Sequence, residues 1–135
     1  MRNLIIVQKY SDTGEEILAA IRAISPDKAE RTTVTDDPAE ALSILKQFPD
    51  SVIVSGAVFS NREMNSIELF APKVKEVSPS ALVLVYSYNL GEAPGVDGWI
   101  WKHRAEVSKV AEIACAAADG STPEVLRDMI RKCEG

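Results

Sequence analysis

The feature of this sequence that most restricts its fold is the alternation of short β-forming runs with longer helical segments. The runs contain mostly apolar or β-branched residues, and amphipathic stretches with apolar residues at helical spacing lie between most of them. The five runs are LIIV (4–7), RTTVT (31–35), SVIVS (51–55), ALVLVY (81–86) and GWIW (98–101). Strands separated by helices form parallel sheets with helices on both faces. The pattern therefore predicts a doubly wound α/β domain with five strands.

Capping residues and prolines mark the expected helix boundaries. Thr13 and Glu16 form a capping-box pattern ahead of one amphipathic run. DDPAE (36–40) combines an aspartate cap with a proline at the first helical position. Pro72 is expected to break or kink the helical segment at 61–77, because proline cannot donate the backbone hydrogen bond of a helix interior.

The chain contains no repeat, low-complexity tract or linker that would separate domains. Its length of 135 residues is typical of one domain with a substantial core. An alanine-rich helix is expected at about 104–118, and STPE (121–124) begins a last short helix. We therefore expect residues 1–120 to form one domain and residues 121–135 to be an additional helix packed on it.

Charge and composition exclude several classes of function. The formal net charge of −5 opposes binding to a phosphate backbone. The N-terminal segment has only four consecutive apolar residues, too few for a signal peptide or a membrane span. Cys115 and Cys133, with a single histidine, provide neither a zinc ligand set nor a disulfide framework. We expect a cytoplasmic protein that binds neither nucleic acid nor membranes.

Candidate functional residues follow the strands, because ligands bind at the carboxyl ends of the strands in an open parallel sheet. This rule selects residues at or directly after the ends of four of the runs, which are Gln8, Lys9, Ser55, Gly56, Ser87 and Lys102. QKYSDTG (8–14) has one glycine and so does not match a phosphate-binding loop. The only histidine, His103, is expected at the surface or at a helix cap rather than in a catalytic triad.

Four segments resemble the receiver (CheY-like) domain of two-component response regulators, over about residues 3–118. GVDGWIWKHR (95–104) resembles the Gly-Ala-Asp-Asp-Tyr-Leu-x-Lys-Pro stretch of the fifth strand, and PDSVIVS (49–55) resembles Pro-Asp-Leu-Val-Leu-Leu-Asp of the third. MNSIEL (64–69) resembles the Met-Asp-Gly-Leu-Glu-Leu start of the third helix, and LVLVYS (82–87) the fourth strand with its terminal Ser/Thr. The resemblance implies a flavodoxin-like sheet with strand order 2-1-3-4-5.

The resemblance also implies roles for individual positions. In receivers, an acidic pair after the first strand binds Mg²⁺, and an aspartate that ends the third strand accepts phosphate from a histidine kinase. A Ser/Thr and a lysine then contact the phosphoryl group. Ser87 and Lys102 match these two residues, and Trp99 matches the family's aromatic switch.

Three positions depart from the receiver pattern. Gln8 and Lys9 replace the acidic pair, and Ser55 replaces the phosphoacceptor. Mg²⁺ requires anionic oxygen ligands, and a serine hydroxyl without an adjacent base is a poor nucleophile. We therefore expect no Mg²⁺ or other cofactor, no aspartyl phosphorylation and no enzymatic activity. The chain is predicted to be a degenerate pseudo-receiver.

The connection between the fourth and fifth strands is unusually short. Seven residues, YNLGEAP, separate Ser87 from Gly95, so the helix that receivers carry there is expected to be missing or reduced. The apolar side of the last helix is a candidate to cover the vacated region. Trp99 and Trp101 are expected to differ in exposure, on the assumption that they alternate around the sheet.

Two functions remain open. In the first, the chain is a phosphorylation-independent interaction module that presents a fixed face to an unidentified partner protein in signal transduction or regulation. A homodimer is one form of this partnership, through the stripe Val125, Leu126, Met129 and Ile130. In the second, Lys9 and Lys102 convert the former cation pocket into a site for a small phosphate- or carboxylate-bearing ligand. Ser55 and Ser87 would line that site.

Overall fold

The computed structural model describes residues 2–134, and its central element is a five-stranded parallel sheet. The strands are β1 (Leu4–Val7), β2 (Thr32–Thr35), β3 (Val52–Ser55), β4 (Leu82–Ser87) and β5 (Gly98–Trp101). They are ordered β2-β1-β3-β4-β5, and every neighbouring pair is parallel. The predicted doubly wound, flavodoxin-like topology is confirmed.

Helices cover both faces of the sheet. They are α1 (Ser11–Ile24), α2 (Pro26–Glu30), α3 (Pro38–Gln47), α4 (Ile67–Val77), α5 (Val107–Ala118) and α6 (Pro123–Glu134). The core on one face is formed with α1, α5 and α6, and the core on the other face with α3 and α4. The additional C-terminal helix is therefore present, as α6. None of the helices in residues 2–134 has the length and apolar composition needed to cross a membrane.

The ends of α1 and α3 test the capping predictions. At α1 the capping-box prediction is wrong, because the helix begins at Ser11 and so includes both Thr13 and Glu16. Its N-cap residue is Tyr10, and no side chain caps it. At α3 the prediction is confirmed, since the Asp37 carboxylate accepts a 3.0 Å hydrogen bond from the first turn of the helix.

Pro72 does not break α4. The helix begins at Ile67, later than the predicted range of 61–77, and continues through Pro72 to Val77. A proline removes one intrahelical hydrogen bond and destabilises a helix interior by roughly 3 kcal/mol. Burial outweighs this penalty, because α4 places Phe70 and Val74 fully in the core.

The central strands are buried on both faces, so alternate residues belong to different cores. In β1, Leu4 and Ile6 pack with α1 and α5, whereas Ile5 and Val7 pack with α3 and α4. A strand buried on both faces reads as a continuous apolar run, which is why these segments could be recognised from sequence.

The segment 88–97 connects β4 to β5 without a helix, as the short spacing predicts. Its last residue, Asp97, fixes the start of β5. One Asp97 carboxylate oxygen accepts a 2.8 Å hydrogen bond from the Val83 backbone N–H and a 2.7 Å bond from the Lys75 ammonium. Asp97 thus joins the start of β5 to the start of β4 and to the end of α4.

The helix α6 does not cover the region where that helix is missing. Right-handed crossovers from β3 to β4 and from β4 to β5 run in the same direction and lie on the same face, here the face of α3 and α4. By contrast, α6 packs on the opposite face, beside α5 and against β5. Gly98 makes this possible, because a Cβ atom there would lie 2.8 Å from Cδ1 of Ile130.

The packing of α6 also corrects the proposed dimer surface. Leu126 and Ile130 belong to the core, with exposed fractions of 0% and 5%, and so are unavailable to a second copy. Met129 is half-buried against the same core, and Val125 is 49% exposed. The four residues therefore do not form one exposed stripe.

Trp99 and Trp101 lie on the same face of the sheet. The assumption that they alternate around the sheet is wrong, since residues two apart in a strand point the same way. Both indoles are half-buried, whereas Ile100 between them is buried in the core with α5 and α6. The two indoles therefore occupy the face from which the crossover helix is missing.

Candidate functional site: the carboxyl edge of the sheet

The strand register brings the candidate residues to the carboxyl edge of the sheet. Val7 in β1, Ser55 in β3 and Val85 in β4 are direct neighbours across the sheet. The backbone N–H of Gly56 donates to the carbonyl oxygen of Val7 at 2.9 Å, which holds Ser55 and Gly56 against the end of β1. Gln8 follows Val7 directly, so the centre of the candidate pocket consists of Gln8, Ser55 and Gly56.

Ser55 is fully buried, with an exposed fraction of 0%. Its hydroxyl donates a 2.7 Å hydrogen bond to the carbonyl oxygen of Gly56, the next residue in the chain. A nucleophilic serine needs a base that accepts its proton, and a backbone carbonyl is not such a base. The hydroxyl of Ser55 therefore serves to satisfy a local backbone acceptor.

Gln8 is also buried, with only 4% of the residue exposed. Its Oε1 lies 3.1 Å from the place where a Cβ atom would stand on Gly56, so the amide rests against that glycine. Within residues 2–134, its Nε2 atom has no hydrogen-bond partner. An unpaired buried donor costs about 1–3 kcal/mol, which makes this amide the least satisfied group of the pocket.

Lys9 does not join this centre. Its side chain is exposed, and its ammonium lies 5.5 Å from the centre of the Tyr10 ring. Lys9 instead lines an open groove of about 240 Å³ together with Asp36, Asp37, Ser60 and Asn61. The two aspartates follow β2 and so also lie at the carboxyl edge, a position that sequence reasoning used only for a helix cap.

Ser87 and Lys102 are neighbours at the ends of β4 and β5. The backbone N–H of Lys102 donates to the carbonyl oxygen of Ser87 at 2.9 Å. The Ser87 hydroxyl oxygen accepts a 3.1 Å hydrogen bond from the backbone N–H of Asn89. Ser87 therefore helps to turn the chain at the end of β4.

The Lys102 ammonium lies among aromatic rings. It is 5.0 Å from the centre of the Tyr86 ring and 5.1 Å from that of Tyr88. Burial lowers the pKa of Lys102 below its ordinary value, and the nearby carboxylate of Glu16 opposes that shift. Lys102, which the resemblance matches to the phosphoryl-contacting lysine of receivers, is thus held by aromatic contacts.

The residues at the position where the resemblance to receivers implies a metal site do not fit Mg²⁺. The ion requires several hard oxygen ligands, preferably carboxylates, in an octahedral arrangement. Here Gln8 offers one neutral amide, Lys9 carries a positive charge, and the Ser55 hydroxyl is engaged with its own backbone. Across residues 2–134, no group of three or more His, Cys, Asp or Glu side chains is placed to hold a metal ion.

Trp99, at the position of the aromatic switch, is half-buried beside the segment 88–97. A Cβ atom on Gly91 would lie 3.2 Å from the indole ring, so the glycine allows the backbone to pass close to it. Whether Trp99 changes position in a signalling response stays a prediction.

A cluster at the ends of β4 and β5 was not recognised from the sequence. It contains Tyr88, Trp101, His103 and Arg104, whose rings and guanidinium contact one another. His103 is exposed, as expected, but it packs between two aromatic rings rather than standing alone. The rule that selects residues after strands could have found this cluster, had it been extended by one or two residues.

Comparison with known proteins identifies the fold. No protein-family model matches the sequence, and no curated protein matches it. Among solved structures, the isolated receiver domain of RcsB from Salmonella enterica serovar Typhimurium aligns with a TM-score of 0.69 at 15% identity, covering 96% of this chain and 98% of that one.

Two further structures agree with this match. The signal receiver domain of the response regulator NarL from Mycobacterium tuberculosis gives a TM-score of 0.64 at 18% identity, covering 89% of this chain and 98% of that one. The DrrB receiver domain gives 0.58 at 13% identity, covering 98% and 97% of the two chains. This chain therefore has the fold of the receiver domains of response regulators.

Proposed function

We propose that this chain is a phosphorylation-independent pseudo-receiver, which acts in signal transduction or regulation by presenting a fixed face to a partner protein. The observation that carries the proposal is Ser55, which stands at the end of β3 where receivers have their phosphoacceptor. It is fully buried and donates its hydroxyl to the adjacent Gly56 carbonyl.

The neighbours of Ser55 support the same function. Gln8 occupies the centre of the pocket as a buried neutral amide, while Lys9 faces solvent. Neither can supply the anionic oxygens that a metal-assisted phosphoryl transfer uses. A domain that has the receiver fold but no phosphoryl-transfer chemistry can still bind a partner protein through its surface.

The experiment exposes the full chain to acetyl phosphate and Mg²⁺ and follows intact mass and the amide NMR spectrum. An active receiver domain with its aspartate serves as the positive control in the same buffer. We expect no change in mass and no shift of the amide resonances. A hydroxylamine-labile phosphoryl adduct on an aspartate would contradict the proposal.

We further propose that the domain is not an enzyme. Catalysis by a serine would need a base beside Ser55, and the hydroxyl is instead engaged with a backbone carbonyl. His103, the only histidine, lies in the surface cluster with Tyr88 and Trp101. Turnover of a phosphate ester or peptide substrate that is lost in Ser55→Ala would contradict this statement.

The second candidate function is binding of a small anion, and the unpaired Nε2 of Gln8 favours it. A phosphate or carboxylate oxygen could accept a hydrogen bond from this amide, and Lys102, which directly follows β5, would supply the positive charge. Lys9 would not take part, because its side chain is directed to solvent beside Tyr10. The ligand would have to displace side chains, since Gln8 and Ser55 are both buried.

Thermal unfolding in inorganic phosphate or glucose 6-phosphate, against sodium chloride at equal ionic strength, tests this candidate. If the anion site exists, the Tm of the wild type rises with ligand and the rise is lost in Gln8→Met, which removes the amide but keeps its length. An equal response of the two proteins would exclude the site without affecting the pseudo-receiver proposal.

A further inference from the structure

Three aromatic rings pack together at the surface where β4 and β5 end. The ring of His103 lies 4.9 Å from that of Tyr88 and 5.3 Å from that of Trp101, measured between ring centres. The Trp101 and His103 rings meet edge to face, at 75°. Such ring contacts add to the stabilisation that burial of apolar surface provides, so they hold the three rings in a fixed arrangement.

Two cations border the rings. The Arg104 guanidinium lies 5.7 Å from the centre of the Trp101 ring, and the Lys102 ammonium lies 5.1 Å from that of Tyr88. None of the salt bridges found between the described residues includes either cation. The Glu16 carboxylate attracts Lys102 without forming a salt bridge to it, and the Arg104 guanidinium is compensated by the Trp101 ring and solvent. Both cations therefore remain available to an anionic partner.

The surface is exposed and fixed in place at the same time. Tyr88 and Leu90 each expose 61% of their surface, which is a high fraction for large apolar side chains. The indole N–H of Trp101 donates to the Tyr88 carbonyl oxygen at 2.7 Å and so holds the segment that carries them. A surface fixed before binding loses little conformational entropy when a partner docks.

We propose that this surface, formed by Tyr88, Trp101, Lys102, His103 and Arg104, is the docking site for an acidic segment of a partner protein. The segment would place carboxylates on Arg104 and Lys102 and an apolar side chain on Tyr88. Tyrosine, tryptophan and arginine are the residues that most often dominate binding energy in protein interfaces. This inference rests on the proposed function and names the chemistry of the partner.

Charge complementarity decides the kind of partner. Lys102, His103 and Arg104 are consecutive basic residues in a chain whose net charge is −5, so the surface attracts carboxylates while the rest of the molecule repels a long polyanion. Single-stranded nucleic acid would also need open ring faces for its bases to stack on. Here the His103 ring packs against Tyr88 and Trp101, and the Arg104 guanidinium covers Trp101.

The test selects peptides from a displayed random library by their binding to the full wild-type chain. The selected peptides are then synthesised, and their affinity is measured by calorimetry. We expect them to combine several Asp or Glu residues with an apolar or aromatic residue. Arg104→Glu should weaken their binding by about tenfold or more, and Tyr88→Ala by about fivefold. Lys46→Glu, an equal charge reversal on the exposed end of α3, should leave affinity unchanged.

Several outcomes would overturn the inference. They are selection of peptides that are not acidic, no selection at all, or equal binding to Arg104→Glu and wild type. Tighter binding of oligo-thymidine or of phosphatidylserine vesicles would assign the surface to a different class of partner. Circular dichroism checks that each variant is folded. Acidic peptides that bind elsewhere on the chain would contradict this docking site but not the proposed function as an interaction module. Phosphorylation on an aspartate would contradict the proposed function independently of the docking site.

Discussion

The indole N–H of Trp99 donates a 2.7 Å hydrogen bond to the carbonyl oxygen of Asn89. Trp101, two residues later on the same face of β5, donates a bond of equal length to the carbonyl oxygen of Tyr88. A helix satisfies its own backbone groups, but the segment 88–97 has no helix to do so. The two indoles take over part of that role and fix the segment that replaces a crossover helix.

Removing the indole donors should loosen this segment. We expect Trp99→Phe and Trp101→Phe each to lower the free energy of unfolding by about 1 kcal/mol, because each leaves a carbonyl without its donor. Amide hydrogen exchange should become faster in residues 88–92 and stay unchanged in β1. Tyr10→Phe, which alters an exposed ring elsewhere, serves as the control. Faster exchange spread evenly over the chain would contradict the proposed role.

The sheet could be predicted because its signal is local. Strands buried on both faces give continuous apolar runs, and the strand order followed from the resemblance of four segments to receiver domains. The absence of a helix before β5 was also predictable, since a parallel connection with a helix needs more residues than Ser87 to Gly95 provide. These features depend on spacing, which a sequence shows directly.

The side on which α6 packs could not be predicted, because it depends on a contact between distant residues. Gly98 leaves room for Ile130, and nothing near either residue in sequence indicates the pairing. The orientations of the Gln8 and Lys9 side chains could not be predicted either, because they also depend on contacts with residues distant in sequence. The two are adjacent in the chain, yet one is buried against Gly56 and the other is exposed.

The packing of α6 predicts opposite results for two neighbouring residues. Leu126→Ala should lower the free energy of unfolding by about 2–5 kcal/mol, because it opens a cavity at a fully buried position. Val125→Ala, half exposed on the same helix, should change it by about 0.5 kcal/mol or less. Urea unfolding followed by circular dichroism measures both. Similar effects of the two substitutions would show that α6 does not pack as described.

The pKa of Lys102 predicts how stability changes with pH. Burial lowers the pKa of Lys102 in the folded state below its ordinary value of 10.5. The unfolded chain therefore binds this proton more tightly than the folded chain does. Lys102 therefore destabilises the fold at neutral pH, and this effect disappears as pH rises through the lowered pKa to 10.5. Between pH 7 and pH 11, the free energy of unfolding of the wild type should therefore rise relative to that of Lys102→Met.

Urea unfolding of the two proteins over that pH range measures the difference. Tyr86, whose pKa burial raises, also titrates in this range, but it is present in both proteins and cancels in the comparison. A stability difference that stays constant with pH would contradict the assignment. The absolute difference matters less, because the substitution also removes the contacts with Tyr86 and Tyr88.

In the pseudo-receiver proposed above, introducing three carboxylates should enable phosphorylation. Ser55→Asp alone places a charge at a fully buried position and should lower the free energy of unfolding by about 2 kcal/mol or more, without enabling phosphorylation. Adding Gln8→Asp and Lys9→Asp supplies the anionic oxygens that Mg²⁺ requires, on a sheet that has the receiver fold. The triple variant should then acquire a hydroxylamine-labile phosphoryl group from acetyl phosphate, but only with Mg²⁺. Intact mass spectrometry measures the adduct. If Ser55→Asp alone is phosphorylated as readily as the triple variant, then Gln8 and Lys9 do not prevent phosphorylation. The pocket would then support phosphoryl transfer without the two added carboxylates.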